Sequence, residues 1–138
     1  MAYVEKIDID TATQEVERFL DARKLRPKSL ENLSSLIPHL IEAVQFGFLV
    51  FGKDTIKMIL EEPIGEGGSI KEIELKYRVA PGDLRASISR LKSQKIDDQL
   101  KCVFCEYCVT PGMVPAIIDK LEPNDFRIFN AFALIFFP

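Results

Sequence analysis

A chain of 138 residues can bury roughly two thirds of its unfolded surface, so one hydrophobic core is enough for it. With 47% hydrophobic residues, 28% charged residues and a net charge of −3, its composition is that of an ordinary globular domain. This composition gives no electrostatic reason to bind nucleic acid or an anionic membrane. The longest apolar stretches, residues 44–51 and 131–137, are well short of the ~20 residues of a membrane-spanning helix.

The first predicted element is an amphipathic helix over residues 11–25. Val16, Phe19 and Leu20 recur at helical spacing, and Thr11 with Gln14 has the pattern of a capping box. The start of the chain has neither the basic residues nor the apolar run of a secretion signal. We therefore expect the protein to act in the cytoplasm of the cell that makes it.

A second helical pattern opens at Ser29 and is interrupted by Pro38, which predicts either a kink or a new helix. His39, the single histidine, follows this proline. Without a second histidine nearby, we interpret His39 as a polar residue at the kink or the surface and not as a ligand or general base. Together these patterns predict that residues 1–45 form an N-terminal helical extension.

The hydrophobic period then changes to that of strands. Residues 46–51 and 55–60 flank a Gly-Lys-Asp turn, which predicts a hairpin, with a helix as the alternative for its first arm. Pro63 is expected to end the second arm, and a glycine-rich loop follows it. Residues 72–79 alternate between apolar and charged side chains, so this strand should have one face on a core and one in water.

Helices are predicted for the rest of the chain, beginning at Pro81. One of them, over residues 96–109, carries Cys102, Cys105 and Cys108. On a buried helix these cysteines act as small hydrophobic residues; the alternative is a metal or redox site, although three soft ligands are not four. A short helix over residues 114–121 comes after the break at residues 110–112.

The last predicted helix begins at Pro123 and is strongly aromatic. Proline suits the first helical position, and five of the ten phenylalanines lie beyond it. Such an apolar end must dock against something, either the protein's own core or a partner. The candidate partner-binding residues are Phe48, Phe129, Phe132, Phe136 and Phe137.

These elements predict an α+β fold, in which a small antiparallel hairpin or sheet packs against segregated helices and the N- and C-terminal parts are mostly helical. We expect no enzymatic activity, because the single histidine and the scattered carboxylates form no nucleophile and base pair. No cofactor is expected either.

Several short motifs occur in a defined order from Ile59 onward. Residues 60–64 and 70–78 flank a glycine-rich loop, residues 79–86 form a strand-to-helix junction, and Val-Thr-Pro-Gly at 109–112 ends the cysteine helix. Residues 118–126, Ile-Asp-Lys-Leu-Glu-Pro-Asn-Asp-Phe, precede an aromatic close. In this order the chain resembles the phage tail assembly chaperone family, which has paired strands, an Ala/Leu-rich helix ending in Thr-Gly and a Leu-x-x-x-Asp-Phe signature.

The resemblance implies a chaperone-like domain over residues 46–138 that binds the tape measure protein while a phage tail assembles. It would keep the apolar helices of that protein from aggregating, in the cytoplasm of the host cell and without a cofactor. Self-association or binding of other tail proteins is also expected, and binding of nucleic acid or membrane is not. Because the first fifty residues lie outside the resemblance, a structural subunit of the tail or baseplate is the alternative, and a cysteine-based metal or redox module is a third possibility.

Overall fold

The computed structural model describes residues 3–91 and 95–136, and these ranges form an α+β fold with a small antiparallel sheet, as the sequence predicts. Its helices are α1 (Ile9–Arg23), α2 (Pro27–Leu33), α3 (Ile37–Gln45), α4 (Pro81–Ser89), α5 (Ile96–Tyr107), α6 (Pro115–Ile118) and α7 (Pro123–Phe136). Its strands are β1 (Leu49–Phe51), β2 (Thr55–Ile64) and β3 (Ile70–Lys76). None of the described helices is long and apolar enough to cross a membrane.

The N-terminal helices differ from the prediction in how they begin. Helix α1 starts two residues earlier than expected, because the Asp8 carboxylate accepts a hydrogen bond from the Thr11 backbone N–H at 2.9 Å. Asp8 is therefore the capping residue, and the predicted capping box at Thr11 is wrong. Pro38 lies in the first turn of α3, so the chain starts a new helix there and does not kink an existing one.

The sheet has the order β1-β2-β3, with both pairs antiparallel. In β3 the side chains of Ile73 and Leu75 are buried while Glu72 and Lys76 are exposed, which confirms one core face and one solvated face. β1 has only three residues, because residues 46–48, the start of the predicted first arm, form the turn that ends α3.

Pro63 does not end β2, contrary to the prediction. The strand continues to Ile64, and its register against β3 shifts between Ile59 and Ile64. Proline lacks a backbone N–H and is tolerated at such an irregularity, where the regular ladder of hydrogen bonds is interrupted. The strand can therefore pass through Pro63 without losing a bond to its neighbour.

Helix α7 is the centre of the core. Pro123 is its first residue, as predicted, and its apolar side chains are buried on almost every side. The ring of Phe129 packs against Phe104 of α5 with centroids 5.0 Å apart, and the ring of Phe132 packs against Phe19 of α1 at 5.8 Å. The helices of residues 1–45 therefore contribute side chains to the same core as the C-terminal helix.

Candidate functional site

The structure buries most of the phenylalanines that the sequence suggested as partner contacts. Phe129, Phe132 and Phe136 are 2%, 0% and 1% exposed, so they belong to the core and offer no surface to a partner in this fold. The prediction of a contact surface on α7 is therefore corrected for these three residues. Phe137 lies outside the described residues, and Phe48 remains partly exposed.

Phe48 belongs to an aromatic cluster at the surface, formed with Tyr3 and Phe46. The ring of Tyr3 meets the edge of Phe48 with centroids 5.6 Å apart, and it is tilted against Phe46 at 6.0 Å. Tyr3 is 49% exposed, while Phe46 and Phe48 are half-buried. The cluster thus has a packed inner side and an accessible outer side, as aromatic anchors of protein interfaces do.

The end of α3 determines where Phe48 lies. Gly47 adopts a left-handed conformation with φ of +81°, and its N–H donates to the Val44 carbonyl at 3.2 Å. The N–H of Phe48 donates to the Ala43 carbonyl at 2.8 Å, which completes a Schellman motif. A side chain on residue 47 would also collide with Lys6, since a Cβ there would lie 2.8 Å from its Cγ atom. Only glycine fits this turn, which directs Phe48 towards Tyr3.

The N-terminal segment is fixed at the same helix end. The backbone N–H groups of Lys6 and Ile7 both donate to the Gln45 carbonyl, at 2.8 and 3.2 Å. The Gln45 side chain donates to the Glu5 carboxylate at 3.3 Å. These bonds hold the backbone beside Phe46 and so place the ring of Tyr3. Hydrophobic periodicity did not reveal Tyr3, because it precedes the first helix and belongs to no repeat.

Polar groups form a rim beside the cluster. The Asn124 side chain donates to Glu61 at 3.3 Å and accepts from Arg127 at 3.0 Å. A hydrogen bond to Glu61 and the surrounding negative charge raise the pKa of Tyr3 above its ordinary value. The aromatic cluster and this polar rim together line a shallow recess of about 60 Å³. His39 lines it too, so the single histidine is a half-buried residue of this surface. An aromatic centre with a polar rim is the usual arrangement of a protein-binding surface.

Asp125 connects this surface to the sheet. Its side chain is 3% exposed and accepts hydrogen bonds from the backbone N–H of Glu61, at 3.0 and 3.2 Å, and of Glu62, at 3.4 Å. These N–H groups lie where the β2–β3 register shifts, so the carboxylate takes the place of a strand neighbour. As an acidic residue in the first turn, Asp125 also lies favourably at the N-terminal end of the α7 dipole.

The three cysteines are free thiols, and the described residues around them form no metal site. Burial raises the pKa of all three, that of Cys105 to about 12, which disfavours the thiolate that metal binding and redox chemistry require. The Cys108 thiol donates to the Phe104 carbonyl at 3.3 Å. Across residues 3–91 and 95–136, no group of three His, Cys, Asp or Glu side chains is placed to hold a metal ion.

Comparison with known proteins identifies no relative: no family model, curated protein or solved structure matches the chain.

Proposed function

We propose that this protein is a non-enzymatic tail assembly chaperone of a phage, which binds the tape measure protein through the aromatic cluster of Tyr3, Phe46 and Phe48. It would cover apolar helices of that protein in the host cytoplasm until tail tube subunits polymerise around them. The apolar face of a partner helix would pack against the cluster, in the manner of a helix bound in a shallow groove.

The order of secondary-structure elements supports this proposal most directly. Two paired strands joined by a glycine-rich loop lead to a helix that opens at Pro81, followed by α5, the short helix α6 and the aromatic helix α7. This is the order that the resemblance predicts from Ile59 onward. The Asp-Phe pair of the signature lies in the first turn of α7, where Asp125 is bound to β2 and Phe126 packs against Phe129 at 5.1 Å.

The aromatic cluster supports the second part of the proposal, since it supplies a contact surface that does not require the core to open. Tyr3 packs against Phe46 and Phe48 and is amphipathic, and aromatic residues of this kind carry a large share of interface binding energy. The rim of Glu61, Asn124 and Arg127 can hydrogen-bond to polar residues that flank an apolar helix.

A co-expression experiment tests the proposal. The tape measure protein encoded in the same phage genome is produced with and without this protein, its soluble fraction is quantified, and the size of the complex is measured by light scattering. We expect the wild type to retain otherwise insoluble tape measure protein. The double variant Tyr3→Ser with Phe48→Ser should weaken the complex by more than about thirtyfold, because loss of a single aromatic anchor costs about 2 kcal/mol of binding and this variant removes two.

Val114→Ser is the matched control, because Val114 is 50% exposed, precedes α6 and does not line the recess beside the cluster. It removes exposed apolar surface of similar kind and should leave the complex unchanged. Melting curves of all variants show whether the fold is intact. A folded double variant that binds as tightly as the wild type would refute the role of the cluster. Recovery of this protein at fixed copy number in purified particles would favour a structural subunit of the tail instead.

A further inference from the structure

A second surface feature lies on a different part of the molecule, between the C-terminal half of α1 and the residues that follow β1 and β3. It is a cleft of about 320 Å³ with an aromatic wall. The rings of Phe19 and Phe51 are stacked with centroids 4.9 Å apart, and Tyr77 lies 6.2 Å from Phe19. The Tyr77 hydroxyl donates to the Gly52 carbonyl, which fixes its ring at the edge of the cleft. A flat apolar group would find a preformed binding surface here.

Three arginines, Arg18, Arg23 and Arg78, also line the cleft, together with one carboxylate, Glu15. None of these arginines forms a salt bridge with a carboxylate in the part of the chain that the structure describes. The cleft therefore has an excess of positive charge, which Glu15 offsets only in part. Arginines grouped around an open cleft favour binding of an anion, because the guanidinium presents several donors in a rigid fork.

The contacts of Arg23 give a more specific indication that the cleft binds an anion. One terminal nitrogen of its guanidinium donates to the Tyr77 carbonyl at 2.8 Å, and the group lies over the rings of Tyr107 and Phe136, 5.8 and 5.4 Å from their centroids. Its Nε atom is buried and has no hydrogen-bond partner. Buried donors on charged groups are almost always satisfied, since losing water without gaining an acceptor is costly. The side chain is thus held between aromatic rings and the Tyr77 carbonyl, with its buried Nε–H donor unused.

We propose that this cleft binds a small organic anion in which one carboxylate is attached to a flat apolar body. The carboxylate would be bound by Arg18 and Arg78 and would supply negative charge beside Arg23, while the apolar body would lie against the aromatic wall. Glu15 favours a monoanion, because a phosphate monoester would bring a second negative charge next to its carboxylate. The volume is at the lower end of the range for ligand pockets, which limits the body to about one ring.

The probe is benzoate, added to the full-length protein labelled with ¹⁵N so that the Arg23 Nε–H resonance can be followed. We expect this resonance to shift with a dissociation constant on the order of a millimolar, as suits a ligand of so few atoms. Arg18→Gln and Arg78→Gln should each weaken binding about tenfold, since each removes a charge-assisted hydrogen bond. Both residues are exposed, so the variants are expected to fold, and circular dichroism checks this.

The control variant is Arg85→Gln on α4, which removes an exposed arginine that does not line the cleft and should leave binding unchanged. Benzamide, the neutral analogue of benzoate, should not bind. Absence of any shift with benzoate, an equal shift with benzamide, or an equal loss in the Arg85→Gln variant would each overturn the proposal. Tighter binding of phenyl phosphate than of benzoate would overturn the assignment of a monoanionic carboxylate.

Discussion

Replacing Asp125 by asparagine should change how the stability of the protein depends on pH. Burial raises the pKa of the Asp125 carboxyl from 3.8 to about 6, and the nearby carboxylates of Glu61 and Glu122 act in the same direction. The hydrogen bonds from the Glu61 and Glu62 N–H groups favour the ionised form and offset only part of this effect. Asparagine keeps an oxygen acceptor at this position and cannot ionise.

The direction of this pH dependence follows from the number of protons that the folded and the unfolded states bind. Between pH 3.8 and about 6 the folded protein keeps the Asp125 proton, while the unfolded chain releases it. The folded state is therefore favoured by this carboxyl below pH 4, and that contribution is lost as the pH rises through 6. One pKa unit corresponds to about 1.36 kcal/mol, so a shift of about two units corresponds to about 3 kcal/mol.

The assay is urea unfolding of the wild type and Asp125→Asn, followed by circular dichroism at several pH values from 4 to 7.5. Groups that titrate alike in both proteins cancel in the difference between their free energies of unfolding. We expect the wild type to lose about 3 kcal/mol relative to the variant across this range. A difference that stays constant would refute the raised pKa. A wild type that gains stability with rising pH would show that the two backbone donors outweigh burial.

Two further predictions concern the core. Phe132→Ala should lower the free energy of unfolding by about 3 to 5 kcal/mol, whereas Leu134→Ala, at a side chain 38% exposed, should cost less than about 1 kcal/mol; equal losses in urea unfolding would contradict the central position of α7. Cys102, Cys105 and Cys108 should react with Ellman's reagent far more slowly in the native protein than in urea, because burial raises each thiol pKa; equal native and denatured rates would refute this.

Local patterns predicted most of the elements, since helices and strands depend on periodicity and on residues that begin or end them. Pro81 and Pro123 each open a helix as expected, and the alternation in β3 gave its two faces correctly. The errors occur where a tertiary contact replaces a local bond. Pro63 was expected to end β2, but the bulge beside it is stabilised by Asp125, which is 64 residues from Glu61 in the chain. No local pattern contains that information.

The difference between local patterns and tertiary contacts also explains why the predicted partner-binding residues of α7 are buried and why Tyr3 was not predicted. A helix that is apolar on all sides belongs in a core, and beyond the first turn of α7 only Arg127 and Asn130 are clearly polar. That composition favours burial of Phe132 and Phe136. The prediction that they contact a partner used only their aromatic character, which residues of a core share. By contrast, Tyr3 belongs to no periodic pattern, so the sequence does not predict its position. It lies at the surface beside Phe46 because backbone hydrogen bonds from Lys6 and Ile7 hold its segment against the end of α3. Surface position therefore depends on how distant segments meet, and sequence periodicity shows only which faces must be covered.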